Sequence, residues 1–265
     1  MINKVLKKVE EYFEWEKDFD FSGWQDIQIY TGTTLSEAWI KARPNDSYKF
    51  EDVEFKNDVD KASGKWLEKQ FPEDSYKVLL KMIDSDDPGE QAVVLVHELR
   101  HCLDYINAVN NLSFEEYSLG NQLFVNWSEF RATMVSFKCQ FFQRLTANNN
   151  QFEVLASLLG VWTADTMQGI FRATDNQKEL YFLCRYMGAA RAARNLSERL
   201  VHARAFSLWH LIPLTIYEKY GIVFYVANEL EEINVCRLNQ IGGYYFQSLV
   251  DRIDSEESQC SKDCK

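Results

Sequence analysis

Two histidines one helical turn apart are the residues of this chain best suited to chemistry. They belong to the segment Val94-Leu95-Val96-His97-Glu98-Leu99-Arg100-His101-Cys102-Leu103. Residues four apart lie on one face of an α-helix, so His97 and His101 can bind one Zn²⁺ ion from successive turns. Glu98 lies about 100° around the helix from His97, where its carboxylate can accept a proton from a water molecule on the metal. The spacing predicts a zinc site with Glu98 as general base.

The context of this motif favours metal binding over a structural role for the histidines. The chain has four histidines, and two of them share one turn beside a carboxylate. Asp87-Pro88-Gly89-Glu90 is typical of a helix start, because Asp caps, Pro occupies the first position and Glu can reach back. The helix that follows is apolar around most of its circumference, which predicts a central helix. Polar groups buried there must be paired or bind a ligand.

The His-Glu-x-x-His segment resembles the signature of the zincin superfamily of zinc metallopeptidases, which carry it on a central helix behind a mixed sheet. The layout is similar to gluzincin-type enzymes, including the ImmA/IrrE type, which have a later Glu-x-x-Ala helix. Over about residues 88–140 the resemblance implies that Glu129 is the third zinc ligand, 28 residues after His101. The short zincin pattern fails, because Asp104 and Asn107 stand where it has Gly and His.

Other residues compete for roles at this site. Glu115 and Glu116 are rival ligands, although the box Ser113-Phe114-Glu115-Glu116 favours helix capping. Asp104 is a further rival ligand, and otherwise it is either a carboxylate that orients His101 or an exposed helix acid. Three residues are candidates for a transition-state donor, each with a structural role as its alternative, and the two histidines among them are also rival ligands: Tyr105, His202 and His210.

A row of arginines follows in the C-terminal half. Arg185, Arg191, Arg194, Arg199 and Arg204 recur through one predicted helix. They form either a basic stripe facing an acidic substrate or a solvated face paired with glutamates of the same helix. The second interpretation is favoured, because Glu179 and Glu198 lie within reach.

The elements that must position these residues are mostly helical. An apolar stripe predicts a first helix over residues 2–16, and alternation with Gly and Pro punctuation places strands between residues 25 and 71, including Tyr48 to Phe55. The run Tyr76 to Ile83 is a strand or a short helix. Further helices are expected at 87 to about 109, 113–145, 151–172, 177–204 and about 213–250. The predicted fold class is α+β and mostly helical. The resemblance adds a zincin-like arrangement, with a small N-terminal mixed sheet, a central His-Glu-x-x-His helix and a helical C-terminal half.

One domain is predicted over residues 1–254. Within it, residues 1–86 form a helix and sheet region, 87–147 the metal-binding helices and 148–254 a helical subdomain. No repeat or flexible linker interrupts this range. A polar tail follows at 255–265, where Cys260 and Cys264 are interpreted as exposed cysteines and not as a metal or disulfide pair.

Composition limits the function classes. The 265 residues are 46% hydrophobic and 26% charged, as in globular proteins, and the net charge of −11 opposes general nucleic-acid binding. No apolar stretch reaches the roughly 20 residues of a membrane span, so no membrane partner is expected. Six dispersed cysteines and the lack of a Sec-type signal predict a cytoplasmic protein, or one delivered into another cell by a Sec-independent route.

These observations predict a zinc-dependent endopeptidase that hydrolyses a protein or peptide substrate. Zn²⁺ is the expected cofactor, with His97, His101 and Glu129 as its ligands and Glu98 as the catalytic base. The resemblance also implies that an extended substrate pairs with an edge strand before residue 84. The alternative is a non-catalytic regulatory or interaction protein with the same zincin fold. Intact His97 and Glu98 speak against it.

Overall fold

A computed structural model describes residues 1–71, 73–83, 87–111, 121–145, 150–174 and 176–201. The chain divides into two compact units, one with Met1–Tyr105 and Ser128–Phe206 and the other with Ile106–Trp127 and Ser207–Lys265. The first unit contains His97, Glu98, His101 and Glu129. The single domain expected over residues 1–254 stays a prediction.

The described residues form seven α-helices and three β-strands, so the fold is α+β and mostly helical, as predicted. In chain order the elements are α1 (Ile2–Trp15), β1 (Gln28–Gly32), α2 (Leu35–Ala42), α3 (Val53–Lys61), β2 (Gly64–Leu67), β3 (Lys77–Lys81), α4 (Pro88–Asn111), α5 (Asn121–Arg144), α6 (Gln151–Arg172) and α7 (Asn176–Val201). Short 3₁₀ helices cover Trp24–Asp26 and Pro44–Glu51. The predicted helices at 2–16, 87–109, 151–172 and 177–204 are confirmed to within a few residues. The helix expected at 213–250 lies outside the described residues.

The strands form a small mixed sheet in the order β1-β3-β2. The central strand β3 pairs with β1 in parallel and with β2 in antiparallel fashion. Val78, Leu79 and Leu80 are fully buried, as expected for a central strand covered on both faces. The ambiguous run at Tyr76 to Ile83 is therefore a strand. β1 and β2 are the edge strands of this three-stranded sheet in the described part of the chain.

The prediction of strand structure over Tyr48 to Phe55 is wrong, because this stretch is helical. Asp52 caps α3 by accepting hydrogen bonds from the backbone N–H groups of Glu54 and Phe55. The aromatic rings of Phe50 and Phe55 pack against Trp39 of α2, at centroid distances of 5.7 and 6.1 Å. The aromatic residues among the charged ones form a surface that packs on α2, and the cap at Asp52 favours a helix over a strand.

One helix cap and two close approaches at glycines fix the elements around the candidate site. Asp87 caps α4 by accepting the N–H of Gly89 at 2.8 Å, as the sequence predicted. Gly64 of β2 lies against α4, because an added Cβ would come within 2.7 Å of Glu98 Cγ and 2.8 Å of Val94 Cγ1. Gly188 of α7 lies against α5, where an added Cβ would clash with the carbonyl oxygen of Phe130. Gly64 thus lets β2 approach the helix that carries Glu98, and Gly188 lets α7 approach the helix that carries Glu129.

Helix α6 is long and apolar enough to cross a membrane when length and composition alone are considered. Core helices of soluble proteins meet the same criterion. Leu155, Leu158, Leu159 and Ile170 of this helix are buried in the protein, and α6 packs along α7. One described helix thus meets the length and composition criterion that no stretch was expected to reach, and the absence of a membrane partner stays a prediction.

Candidate metal centre

Three side chains from α4 and α5 converge on one point. His97 Nε2 and His101 Nε2 lie 3.0 Å apart, and the two rings are nearly perpendicular at 78°. Glu129 Oε2 lies 3.2 Å from His101 Nε2 and 3.7 Å from His97 Nε2. The Glu129 side chain is only 6% exposed, so its charge is buried among these groups. The structure thus brings together the three residues predicted as ligands.

The spacing of these atoms fits a tetrahedral metal ion. Zinc bonds of about 2.0–2.2 Å at tetrahedral angles separate neighbouring ligand atoms by about 3.3–3.6 Å. The three observed separations, 3.0, 3.2 and 3.7 Å, surround that range. Among the described residues this is the group of histidine and carboxylate side chains able to hold a metal ion, with its ligand atoms all within 4.8 Å of one another. Two imidazoles and one carboxylate are a donor set of catalytic zinc sites.

A buried serine fixes the tautomer of His97. The hydroxyl of Ser136 donates to backbone carbonyl oxygens of its own helix, 2.8 Å from that of Ala132 and 3.1 Å from that of Thr133. Its lone pair therefore faces His97 Nδ1, 3.4 Å away, and accepts the proton on that nitrogen. Nε2 is left with its lone pair toward the centre, as a metal ligand requires.

A longer chain of hydrogen bonds does the same for His101. Ser128 Oγ lies 2.7 Å from His101 Nδ1 and donates to Asp104 Oδ2 at 3.4 Å. Asp104 is fully buried and pairs with Arg100 at 2.5 Å and with Arg131 at 3.4 Å. The interpretation of Asp104 as a carboxylate that orients His101 is supported, but it acts through Ser128. This arrangement also leaves Nε2 of His101 facing Glu129.

The two oxygens of Glu129 face different partners. Oε2 faces the imidazoles, whereas Oε1 lies 3.6 Å from Arg185 Nε and 3.4 Å from the donating hydroxyl of Thr133. The guanidinium of Arg185 also lies over the rings of Trp162 and Tyr181, at 5.6 and 5.8 Å. A carboxylate held by one oxygen can offer the other to a metal in a fixed direction.

Burial and charge shift the pKa values of side chains in the centre and of side chains next to it. Burial acts to raise the pKa of Glu129, but the two histidines outweigh it and the pKa falls well below its usual range. Burial acts to lower the pKa of His101, but the hydrogen bond and charge of Glu129 outweigh it and the pKa rises. Burial raises the pKa of Tyr181 to about 12, and the negative charge of Glu129 adds to the effect. Burial also raises the pKa of Cys102 to about 12, so its thiol stays protonated.

The Glu98 carboxylate contacts the sheet and is not one of the three converging side chains. Its Oε2 accepts a hydrogen bond of 3.1 Å from the backbone N–H of Trp66 in β2. The negative charge of Glu98 also contributes to the raised pKa of His101, after the larger contributions of Glu129. Glu98 is not one of the three side chains that could hold a metal ion, and its role as general base stays a prediction.

Of the remaining candidates, the structure describes Tyr105 alone. Tyr105 packs its ring between Trp66 and Tyr76, at centroid distances of 4.8 and 6.2 Å. This packing fits the structural alternative for Tyr105. The candidates outside the described residues are Glu115, Glu116, His202, His210, Cys260 and Cys264.

Arg185 and Arg194, which belong to the row of arginines predicted on one helix, lie in different environments. Arg194 pairs with Glu198 at 2.9 Å on an exposed surface, as the solvated interpretation predicted. For Arg185 that interpretation is wrong, because Gly188 brings α7 against α5 and Arg185 reaches Glu129. Sequence spacing alone could not separate the two arginines, since both lie on the same predicted helix.

Sequence reasoning missed the serines that orient the histidines. Ser128 and Ser136 are eight residues apart, with Ala132 halfway between them, so all three lie along one face of α5. A stripe of small residues beside Glu129 was a usable signal.

No protein-family model, no curated protein and no solved structure matches this chain. The assignment of the centre therefore rests on its own geometry and on the resemblance carried by residues 97–101 and 129.

Proposed function

We propose that the protein is a zinc-dependent endopeptidase of the zincin type, in which His97, His101 and Glu129 hold Zn²⁺. The observation that carries the proposal is the convergence of three electron-pair donors on one buried point. Both histidine rings are oriented from behind by serine hydroxyls, which is the usual arrangement for ligating imidazoles. Such an arrangement leaves the centre rich in acceptors, and a divalent cation satisfies them.

When bound, the zinc ion would supply a Lewis acid that polarises a peptide carbonyl and acidifies a water molecule. Glu98 takes the proton from the attacking water and passes it to the leaving amine. Arg185 and Thr133 hold the far oxygen of Glu129, and Ser128 and Ser136 hold the imidazoles. Each of these groups limits the motion of a residue that the reaction needs in one place.

The proposed substrate class is a protein or peptide in extended conformation. β2 is the edge strand that contacts the helix carrying Glu98. Glu98 already accepts the N–H of Trp66 at this edge, so an extended peptide lying along β2 would bring its backbone close to Glu98 without pairing with that N–H. The proposed place of action is a reducing compartment, where free thiols such as those of Cys102, Cys139 and Cys184 are usual.

The test measures zinc content and peptide cleavage on the same samples. Purified protein is stripped with a chelator, reloaded with Zn²⁺ and incubated with a proteome-derived peptide library at neutral pH. New termini are read by mass spectrometry. We expect about one zinc per chain. We also expect cleavage that the chelator abolishes and that Glu98→Gln lowers by roughly 10² to 10⁴ without zinc loss.

Two results would contradict this proposal. Protein that takes up no zinc would remove the metal centre. Protein that takes up zinc but cleaves nothing that a chelator protects would favour the non-catalytic zincin-fold alternative. Glu10→Ala is the matched control for the carboxylate substitution, because Glu10 is exposed on α1.

A further inference from the structure

The carboxylate of Glu98 is held by a backbone group of the sheet. Trp66 N–H donates to Glu98 Oε2 at 3.1 Å, across 32 residues of sequence. Glu98 sits on α4 and Trp66 on the edge strand β2, so the contact joins helix to strand. A backbone N–H has little freedom within a strand, and it can therefore define where a carboxylate oxygen rests.

The strand register shows why this N–H is free to reach Glu98. Lys81 N donates to the carbonyl oxygen of Ser63 at 2.9 Å, so these two residues form a bonded pair. Bonded and non-bonded pairs alternate along an antiparallel ladder. Trp66, three residues further on and opposite Val78, belongs to a non-bonded pair. Its N–H points away from β3 and toward α4.

Gly64 supplies the space that the contact needs. It is the other β2 residue of a non-bonded pair, opposite Leu80. An added Cβ would stand 2.7 Å from Glu98 Cγ and 3.3 Å from Glu98 Cδ. Real Cβ atoms do not come that close to another carbon, so any side chain here pushes the Glu98 side chain aside.

We propose that β2 positions the catalytic base, with the N–H of Trp66 as the donor that holds Glu98 and Gly64 as the residue that admits it. This inference rests on the proposed function, because it assigns a role to the base of that reaction. Trp66 and Gly64 are positioning residues that act through Glu98. Displacing a reacting group by about 1 Å can cost on the order of 10²-fold in rate, which sets the size of the expected effect.

The first experiment isolates the N–H by comparing Trp66→Pro with Trp66→Ala. Both variants lose the ring that packs on Tyr105, but only Pro removes the N–H. Pro is tolerated in an edge strand where the N–H faces away from the ladder. We expect kcat of Trp66→Pro to be at least about tenfold below that of Trp66→Ala. KM and the zinc Kd should agree between the two variants within about twofold.

The same comparison in a Glu98→Gln background shows whether the N–H acts through Glu98. We expect the difference in kcat between Pro and Ala to disappear there. A difference that persists, or a Trp66→Pro variant with kcat equal to or above that of Trp66→Ala, would overturn the inference.

Gly64→Ala tests the other half and covers the case in which Trp66→Pro fails to fold. Gly160→Ala is its matched control, because nothing lies within 4 Å of a Cβ added at Gly160. We expect Gly64→Ala to keep its zinc Kd and to lose kcat by about tenfold or more, while Gly160→Ala keeps both. Unchanged kcat in well-folded Gly64→Ala would refute the role of Gly64.

A measurement without substrate separates this inference from the proposed function. Amide hydrogen exchange of Trp66 N–H is followed by NMR in the zinc-loaded protein and in Glu98→Ala. We expect exchange at this edge-strand amide to be at least about tenfold faster in the variant. Equal exchange rates would disprove the contact even in an active peptidase. Slow wild-type exchange in a protein that cleaves nothing would leave the contact standing and overturn its catalytic role.

Discussion

Helix α5 contributes to two buried charged clusters nine residues apart, and they are built on opposite principles. Around Lys138, the ammonium Nζ lies 3.5 Å from Glu16 Oε1 and 2.5 Å from Asp18 Oδ2. Around Glu129, the nearest partners of Oε2 are the imidazole nitrogens of His97 and His101. The first cluster contains its own cation. The second has a guanidinium, that of Arg185, only behind Glu129, and at its centre two imidazole nitrogens and a carboxylate oxygen face one another.

The Lys138 cluster is complete without any ligand. Glu16 accepts the backbone N–H groups of Lys17 at 3.0 Å and Asp18 at 2.8 Å, besides the contact with Lys138. The hydroxyl of Tyr12 lies 3.2 Å from its other oxygen. The buried charge of Glu16 thus has an ammonium group and backbone donors within the protein, and the result is a structural tie between the end of α1 and α5.

Between the three inward atoms of the Glu129 cluster the positive charge is a proton on an imidazole, which Glu129 favours by raising the pKa of His101. The proposed metal ion would take the place of that proton. The serines of this cluster take the Nδ1 protons of both rings and leave both Nε2 atoms facing inward. A buried charge therefore does not by itself mark a functional site. The informative quantity is the balance of donors against acceptors, because an excess of inward acceptors calls for a cation.

The largest expected effect concerns the cluster that needs no ligand. Lys138→Met removes the cation and leaves Glu16, which is fully buried, with a charge that only neutral donors satisfy. We expect the free energy of unfolding to fall by about 3 kcal/mol, the lower end for breaking a buried ion pair. Urea unfolding of metal-free protein measures it, with exposed Lys61→Met as control. Zinc affinity should not change, and a large loss of zinc affinity would contradict the separation of the two clusters.

The next effect concerns the cluster that needs a cation. Glu129→Ala removes one of three protein ligands, so we expect zinc affinity to fall by more than the roughly 10- to 100-fold that loss of a group orienting a ligand costs. The buried histidine pair loses its counter-charge, but stability of the metal-free protein should fall less than in Lys138→Met. Competition with a chromophoric chelator measures the zinc Kd, and exposed Glu10→Ala is the control. Equal zinc affinities of Glu129→Ala and Glu10→Ala would show that Glu129 is not a zinc ligand.

A smaller effect is expected from the groups that orient the ligands. Ser128→Ala leaves His101 Nδ1 without its partner at 2.7 Å, and we expect zinc affinity to fall by about 10- to 100-fold. Ser136→Ala should cost less, because its contact with His97 is longer, at 3.4 Å. The control is Ser197→Ala, a buried serine that donates to the carbonyl oxygen of Arg194 in its own helix. A loss of zinc affinity in the control as large as that in Ser128→Ala would show a general packing effect.

Sequence was a good guide where the determinant is local. The turn that carries His97 and His101 and the Asp87 cap depend on residues within one helix, and the structure has them as predicted. Glu129 as the third ligand came from a resemblance, and its place at the centre depends on how α5 packs against α4.

Sequence failed where the determinant is a contact between distant elements. Arg185 reaches Glu129 because Gly188 lets α7 approach α5, and Glu98 meets Trp66 because Gly64 lets β2 approach α4. No periodicity records which glycine of a chain will face another element. The same limit explains Tyr48 to Phe55, whose aromatic residues belong to a cluster with Trp39.

The smallest expected effect lies at the exposed end of the Lys138 cluster. Burial acts to raise the pKa of Asp18, but its hydrogen bond and ion pair with Lys138 outweigh it and the pKa is lowered. A carboxyl group with a lowered folded-state pKa stabilises the fold above its unfolded pKa of about 3.9 and loses that contribution as pH falls through the folded value. Asp18 is 47% exposed, so solvent screening limits the contribution to less than about 1 kcal/mol. We expect Asp18→Asn to lower the free energy of unfolding of metal-free protein by less than that amount at pH 7, and the deficit to shrink toward pH 3. Urea titrations at pH 7, 4.5 and 3 measure it, with the exposed Asp58→Asn as control. A deficit that grows toward pH 3 would mean that the protonated form of Asp18 is the one the fold stabilises, and the Lys138 cluster would then lose its role as the balanced member of the pair.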